Sequence, residues 1–186
     1  MPSLPPSLNQ DLLDSYRQLV AKVDGLCQNI HADLRDAIVC RPGCAACCQH
    51  LSLFWVEGAN LALALAALPK AQQEEIRSLA REHSTGNRCP LLKDNRCLLY
   101  ATRPLICRTH GYPLLINEGD QRRIDHCPEN FHGLSAIPGS DIIDTERLAT
   151  ILVAVNGKFM AEAFATPPTE PRLTLAQFLL LPISPT

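Results

Sequence analysis

The cysteines of this 186-residue chain constrain its fold more than any other feature. Eight of the nine lie between residues 40 and 127, and four of those eight fall within nine residues. Such clustering suits a tetrahedral metal centre, in which several thiolates lie about 2.3 Å from one zinc ion. A disulfide framework is disfavoured because the total is odd and because disulfides are rare in a reducing cytosol. We therefore predict metal or iron–sulfur binding, with a dithiol redox protein as the alternative.

Length and composition indicate one globular domain. A chain of 186 residues has the usual size of a single domain, and we treat residues 1–186 as one. Hydrophobic residues make up 46% and charged residues 19%, which excludes a disordered or low-complexity protein. The formal net charge of −2 argues against a broad nucleic-acid-binding surface, so we expect no nucleic-acid partner.

No segment of the sequence is typical of export or membrane insertion. The longest nearly apolar stretch, residues 60–68, is far shorter than the roughly 20 residues that a membrane span needs. The N-terminus has neither a basic start nor an apolar core, so we expect no secretory signal peptide. These features predict a cytoplasmic protein without a membrane partner.

An amphipathic pattern covers the N-terminal part of the chain. Apolar residues recur at three- and four-residue spacing from Leu12 to Ile38, with polar residues between them. This spacing predicts a long helix over residues 8–39 that ends near Val39. Cys27 falls beside the apolar stripe, so we interpret it as a buried thiol and not as a ligand.

The remaining patterns are also mainly helical. Ala- and Leu-rich spacing predicts helices over residues 57–68 and 71–83, and a short apolar helix over residues 173–181. Asp144 is a suitable cap for a helix that runs to about Phe164.

One β-hairpin is predicted within this helical organisation. Polar turn residues at 117–120 separate two short runs, Tyr112 to Ile116 and Gln121 to Asp125. We therefore predict a mainly α fold class, a single irregular helical domain with one small hairpin. Its cysteine-rich metal-binding loop region spans residues 40–127, and a C-terminal helical region spans residues 141–186.

The first cysteine segment is Cys40-Arg-Pro-Gly-Cys44-Ala-Ala-Cys47-Cys48. Pro42 and Gly43 predict a tight bend, and the small alanines let the chain wrap closely around an ion. The C-x3-C-x2-C spacing also occurs in radical S-adenosylmethionine enzymes. Those enzymes need repeated strand–helix units, which this sequence does not show, so we reject that interpretation.

The second cysteine group consists of Cys89, Cys97, Cys107 and Cys127. Pro104 suits the first position of a helix, which places Cys107 in an opening turn where the helix dipole favours a thiolate. Four thiolates around a divalent ion or a 4Fe–4S core leave a net charge of about −2. Arg103 and Arg108 stand beside the cysteines, and we predict that they bind the cofactor by offsetting this charge.

Together these residues resemble the YkgJ-type cysteine-cluster family, whose members are described as zinc- or iron-chelating proteins. The run C-x3-C-x2-C-C is followed by Cys-Pro-x-Leu with Cys97, Tyr100, Arg103-Pro104 and Cys107-Arg108. The resemblance covers about residues 40–127. It implies metal ligands at eight positions: Cys40, Cys44, Cys47, Cys48, Cys89, Cys97, Cys107 and Cys127.

The resemblance leaves the activity open. We expect a metal-binding protein whose cofactor is an iron–sulfur cluster or zinc. We favour a 4Fe–4S cluster because the uneven spacings and Cys-Pro pairs differ from the paired C-x2-C knuckles of a zinc ribbon. Flagellin lysine methylases carry a similar cluster, so an iron–sulfur-dependent redox or group-transfer enzyme is one alternative. A metal storage or delivery protein is another.

Eight cysteines exceed the four thiolates that one tetrahedral ion or one 4Fe–4S cluster takes. Cys47 and Cys48 are neighbours in the sequence, and adjacent side chains usually diverge. Either one of this pair lies outside a single site, or the eight thiols divide between two centres. We expect one centre with spare thiols beside it, because a single site needs fewer loops to be fixed at once.

Overall fold

A computed structural model describes residues 3–41, 43–119 and 121–182, and it is mainly α-helical. The chain is 49% helical and 13% strand, which agrees with the mainly α part of the predicted fold class. The α-helices are α1 (Asp14–Asp33), α2 (Trp55–Ala66), α3 (Lys70–Glu82), α4 (Leu105–Thr109), α5 (Thr145–Ala163) and α6 (Leu175–Leu180). The strands are β1 (Ser52–Phe54), β2 (Leu92–Lys93), β3 (Arg96–Cys97), β4 (Leu114–Glu118), β5 (Gln121–Asp125), β6 (Ile143–Asp144) and β7 (Arg172–Thr174).

The N-terminal helix is shorter than its apolar pattern predicts. α1 ends at Asp33, and a separate 3-10 turn over Arg35–Ala37 follows before the chain becomes extended. A long-range contact accounts for this end, because the carbonyl of Ala37 accepts the backbone N–H of Phe131 at 2.6 Å. The chain therefore leaves the helical path to meet a segment that lies far away in the sequence.

The buried carboxylate of Glu57 fixes the start of two helices. One of its oxygens accepts the N–H of Phe54 at 3.3 Å, which closes the first turn of α2. The other oxygen accepts the N–H of Leu105, the first residue of α4, at 3.2 Å. Burial raises the pKa of this carboxyl group, and the two hydrogen bonds partly oppose that rise. Glu57 thereby ties the helical core to the helix that carries Cys107.

The core lies where α6 crosses α2. The Trp55 ring packs edge to face on Phe178 and Phe164, at centroid distances of 5.3 Å and 5.4 Å. Gly58 makes room for this arrangement, because a Cβ at that position would lie 2.3 Å from the Phe178 ring. The close approach of α2 and α6 therefore depends on a glycine.

Gly58→Ala should destabilise the fold by about 1–3 kcal/mol, because the added methyl group overpacks the core. This loss should exceed the gain from the higher helix propensity of alanine. Gly25→Ala on α1 is the matched control, since nothing lies within 4 Å of its added methyl group. Urea denaturation followed by circular dichroism measures both variants. Equal free energies of unfolding would contradict the packing described here.

Small sheets connect the helices. β4 and β5 pair in an antiparallel register from Leu114↔Asp125 to Glu118↔Gln121, which confirms a hairpin here. Its first strand begins two residues later than predicted and includes Asn117 and Glu118, which we had assigned to the turn. Asp120, in the predicted turn, lies outside the described residues. β6 adds to β4 in parallel, and β1 pairs with β7. Strands of two or three residues are too short to give an alternating pattern, so these pairings were not predicted.

The C-terminal helices lie close to their predicted positions. The Asp144 side chain accepts the N–H of Arg147 at 3.0 Å, so the predicted cap of α5 is confirmed. α6 begins two residues later than predicted because Arg172–Thr174 pair as β7. Within the described ranges, no helix has the length and apolar character needed to cross a membrane.

Candidate metal centre

The first cysteine segment is an irregular stretch between the 3-10 turn and β1. Cys40, Cys44 and Cys47 are exposed, and Cys48 is half-buried. Two tight turns shape the segment: the N–H of Cys44 donates to the carbonyl of Arg41, and that of Cys48 to the carbonyl of Ala45, both at 3.0 Å. Gly43 has a φ of +98°, which glycine adopts without strain. Pro42, to which we assigned part of the bend, lies outside the described residues.

A buried asparagine joins this segment to the last cysteine. Asn130 Oδ1 accepts the backbone N–H groups of Val39 and Cys40 at 3.0 Å and 3.3 Å. Its Nδ2 donates to the carbonyl of Gly111 at 2.9 Å. The backbone N–H of Asn130 donates to the carbonyl of Cys127, also at 2.9 Å. Cys40 and Cys127 are therefore held by the same residue.

A second set of backbone contacts joins the first segment to Cys89. Gln49 and Arg88 form an antiparallel bridge. Beside it, the N–H of His50 donates to the carbonyl of Asn87 at 2.8 Å. In antiparallel pairing the next residues along each chain stand opposite one another, so this bridge places Cys48 across from Cys89.

The β2–β3 hairpin places Cys97 close to Cys89. Leu92 pairs with Cys97 across the hairpin, and the N–H of Leu92 donates to the carbonyl of Cys89 at 3.1 Å. The two turn residues, Asp94 and Asn95, have φ values of 49° and 58°. Aspartate and asparagine tolerate this left-handed conformation, which a two-residue hairpin turn requires.

Arg108 holds α4, which carries Cys107 in its first turn. Its guanidinium pairs with the Asp24 carboxylate on α1, with Nη1 2.6 Å from Oδ2. It also donates to the carbonyls of Ala101 and Arg103, at 2.6 Å and 2.9 Å. Arg108 is only 5% exposed, and these contacts direct it towards α1 and the backbone. It fixes the turn through which the chain passes from Cys97 to Cys107.

The Arg103 side chain has different surroundings from that of Arg108. Its guanidinium stacks 4.1 Å from the Tyr100 ring centroid, and Nη1 donates to the Tyr100 carbonyl at 3.0 Å. Burial raises the pKa of Cys97, and the positive charge of Arg103 partly counteracts that rise. From the sequence we predicted that Arg103 and Arg108 both offset the negative charge of the thiolates. In the structure, Arg108 pairs with Asp24, whereas Arg103 stacks on Tyr100.

Burial and neighbouring thiols together raise the pKa values of several clustered cysteines. Partial burial raises the pKa of Cys40, and the thiols of Cys44, Cys47 and Cys127 raise it further. Burial raises the pKa of Cys89 to about 11, with Cys97 and Cys48 adding to the shift. Crowding by the protein raises the pKa of the solvent-accessible Cys107, and Cys89, Cys97, Cys48 and Cys47 raise it further.

The thiols of Cys47 and Cys48 influence each other's pKa. Partial burial raises the pKa of Cys47, and the neighbouring Cys48 thiol raises it further. The pKa of Cys48 is also raised by burial, and Cys97 is its strongest charged neighbour. The turn closed by the N–H of Cys48 and the carbonyl of Ala45 contains both residues, and Cys48 directly precedes the Gln49–Arg88 bridge.

A pocket lies beside the cysteine region. Its volume is about 380 Å³, and its lining is Asp24, Cys27, Gln28, His31, Arg103, Arg108 and Tyr112. Cys27 is buried as predicted, and its thiol donates to the carbonyl of Arg108 at 3.6 Å. Burial raises the pKa of Cys27 to about 11. Arg103 is the residue that this pocket shares with the surroundings of Cys97.

The donor set suits zinc or iron, because all nine cysteines are free thiols. Among residues 3–41, 43–119 and 121–182, no group of three or more His, Cys, Asp or Glu side chains is arranged to hold a metal ion. Ligation therefore requires the thiols to converge.

Three residues that position the site were not predicted: Asp24, Glu57 and Asn130. Their partners lie 84, 48 and 90 residues away, in Arg108, Leu105 and Cys40. Only Glu57 carried a local signal, as an acid in the first turn of a helix. Asp24 is one of several polar residues on α1, and Asn130 stands in a stretch without periodicity.

Comparison with known families identifies the cysteine-rich part of the chain. Residues 39–128 match the family CxxCxxCC, described as "Putative zinc- or iron-chelating domain". The match includes every clustered cysteine. Three residues separate Cys40 from Cys44 here, whereas the family name has two at its first spacing. No curated protein and no solved structure matches the chain significantly. Residues 39–128 contain all eight clustered cysteines, and this part of the chain is similar to the CxxCxxCC family.

Proposed function

We propose that this protein binds zinc or iron through its clustered cysteines. The observation that carries the proposal is the approach of four separate chain segments to one region. Those segments are the loop of residues 40–48, the β2–β3 hairpin, α4 and the residues around Cys127. The buried polar groups of Glu57, Arg108 and Asn130 hold these segments in place. Eight free thiols suit a reducing compartment, so we place the protein in the cytoplasm.

For the cofactor we favour an iron–sulfur cluster of the 4Fe–4S type over zinc. The eight candidate ligands are all thiols, as such clusters require, and their spacings do not follow the paired knuckles of a zinc ribbon. Anaerobic purification followed by metal analysis and a visible spectrum tests this choice. We expect a brown protein that contains iron and inorganic sulfide. A colourless protein with stoichiometric zinc and no iron would reverse the choice.

We propose different roles for the two arginines. Arg103 supplies positive charge beside the ligands, since it already acts on the pKa of Cys97. Arg108 acts indirectly, because its guanidinium holds the backbone at Ala101 and Arg103. Arg103→Gln should therefore lower the reduction potential of a bound cluster without unfolding the chain, since removing nearby positive charge disfavours the more negative reduced state.

Single substitutions test the ligand assignment. Cys97→Ser should reduce the metal content of the purified protein, because a hydroxyl group is a poor substitute for a thiolate on zinc or iron. Cys27→Ser is the matched control, since Cys27 is buried beside the Arg108 carbonyl and lies outside the family segment. Elemental analysis of each purified variant gives the result. Loss of metal from Cys27→Ser would contradict the assignment.

A redox or group-transfer enzyme is the second candidate, and the pocket beside Arg103 favours it. A catalytic metal keeps an open coordination position near a substrate pocket, whereas a structural zinc site is closed. Adding an external ligand such as imidazole to the cobalt-substituted protein distinguishes the two. A change in the visible spectrum would indicate an open position and favour the enzyme. An unchanged spectrum would favour a closed site.

A further inference from the structure

We propose that the pocket between α1 and residues 103–112 binds a small organic anion through the guanidinium of Arg103. The group that it recognises is an oxyanion, which a carboxylate or a phosphate ester supplies. This site needs none of the clustered cysteines, so the inference goes beyond the proposed metal binding and does not depend on it. It also names a class of molecule for the pocket, which the second candidate function leaves open.

Two distant parts of the chain form the walls of this pocket. Asp24 and Gln28 lie on α1, whereas Arg103, Arg108 and Tyr112 lie on α4 and on the residues that flank it. The ion pair between Arg108 and Asp24 joins the two walls. The volume of about 380 Å³ falls at the lower end of the range for small-molecule sites, about 300–1,000 Å³. The pocket therefore suits a ligand of few heavy atoms.

The charges of the lining side chains leave a positive charge on Arg103. Arg108 Nη1 lies 2.8 Å and 2.6 Å from the two carboxylate oxygens of Asp24, so these opposite charges cancel. Burial raises the pKa of the Cys27 thiol to about 11, and partial burial raises the pKa of Tyr112, so both groups are uncharged at neutral pH. A cleft with an uncompensated positive charge attracts anions.

The guanidinium of Arg103 is fixed in place and keeps donors for a ligand. It stacks 4.1 Å from the Tyr100 ring centroid, and its Nη1 donates to the Tyr100 carbonyl at 3.0 Å. Among the hydrogen bonds of the described residues, Arg103 donates through Nη1 alone, so Nε and Nη2 remain available. These two nitrogens form one planar edge, which matches the paired oxygens of a carboxylate or a phosphate group. Because stacking already orients this edge, ligand binding loses less side-chain entropy.

Tyr112 and Gln28 supply uncharged hydrogen-bonding groups to the same pocket. Tyr112 is half-buried just beyond α4, and Gln28 is exposed on α1. Within residues 3–41, 43–119 and 121–182, the hydroxyl of Tyr112 and the side-chain amide of Gln28 have no protein partner. Arg103 therefore supplies the charge that holds the anion, and these two side chains supply donors to the rest of the ligand.

Saturation-transfer difference NMR with acetate and with methyl phosphate tests the site on the full-length chain as purified. Each probe carries a methyl group whose signal reports binding, and the method detects weak ligands. We expect a saturable signal from at least one probe. A signal from acetate alone identifies a carboxylate ligand, and one from methyl phosphate alone identifies a phosphate ester. The absence of a saturable signal from both probes would overturn the proposal.

Substitutions then locate the bound probe. Arg103→Gln should weaken binding by about tenfold, as expected for the loss of a charge-assisted hydrogen bond. Arg122→Gln is the matched control, because it removes the same charge from an exposed position on β5 outside the pocket. Equal binding by these two variants would overturn the role given to Arg103.

Tyr112→Phe tests the pocket without changing its charge. It should weaken binding by about threefold, since a neutral hydrogen bond is lost. Unchanged binding would overturn the placement of the anion in this pocket, and circular dichroism checks the folding of every variant. Metal analysis of the same samples separates this proposal from metal binding. A metal-loaded chain that binds neither probe would overturn the anion site alone, whereas a chain that binds a probe and no metal would contradict only the proposed function.

Discussion

Removal of bound metal with a strong chelator should loosen residues 89–110 while leaving α2 and α5 folded. The affected region consists of two-residue strands, one 3-10 turn and a five-residue helix, which have little stability of their own. Structural zinc contributes about 10–16 kcal/mol of binding free energy in finger peptides, and that energy is coupled to folding. We therefore expect metal to supply much of the order in this region.

Amide hydrogen exchange before and after chelation measures this effect. Exchange should accelerate in residues 89–110 and remain slow in α2, where Trp55 and Phe178 pack together. Leu91, Leu99 and Leu105 belong to the buried core, so the region should open locally without global unfolding. If exchange in residues 89–110 is unchanged after complete metal removal, metal does not organise this part of the fold.

Arg108→Ala should lower the free energy of unfolding by about 3 kcal/mol. Removing one partner of a buried ion pair costs about 3–5 kcal/mol. The lower end applies here because the Asp24 side chain is 34% exposed and solvent screens the charge left behind. The carbonyls of Ala101 and Arg103 would also lose their donors. Arg108→Lys should recover little stability, since one ammonium group does not reproduce the planar guanidinium fork.

Arg103→Ala is the matched control for this experiment. Arg103 lies five residues earlier, and its side chain contacts only the exposed Tyr100 among its described hydrogen-bond and stacking partners. Its loss should change the unfolding free energy by less than about 1 kcal/mol. Urea denaturation of both variants provides the comparison. Similar losses for Arg103→Ala and Arg108→Ala would contradict the structural role given to Arg108.

The sequence predicted the features that depend on local patterns. The apolar spacing of α1 and the Asp144 cap of α5 are properties of short windows, and both are present in the structure. The clustered cysteines identified the family segment, because their spacing can be read directly from the chain. Helix ends were less accurate, and α1 stops early because Ala37 binds the distant Phe131.

The long-range contacts that position the cysteine segments could not be predicted from local patterns. Asp24 meets Arg108 across 84 residues, and nothing near Asp24 distinguishes it from other surface acids of α1. The bridge between Gln49 and Arg88 involves a single residue pair, which leaves no periodic signal. Such contacts follow from how α1, the hairpin and α4 pack together, so they become visible only in three dimensions.

The Asn130 contact changes the entropy of assembling the site. Its amide closes a loop of 90 residues by binding the backbone at Cys40. Closing a flexible loop of that length costs roughly 4 kcal/mol from its length-dependent term alone. In the folded chain the Asn130 contact has already closed this loop before metal binds. An ion that joins Cys40 to Cys127 therefore does not lose this loop-closure entropy from its binding free energy. Asn130 lies two residues beyond the family segment, so a fragment that ends at residue 128 would have to close the loop with the binding energy of the metal itself.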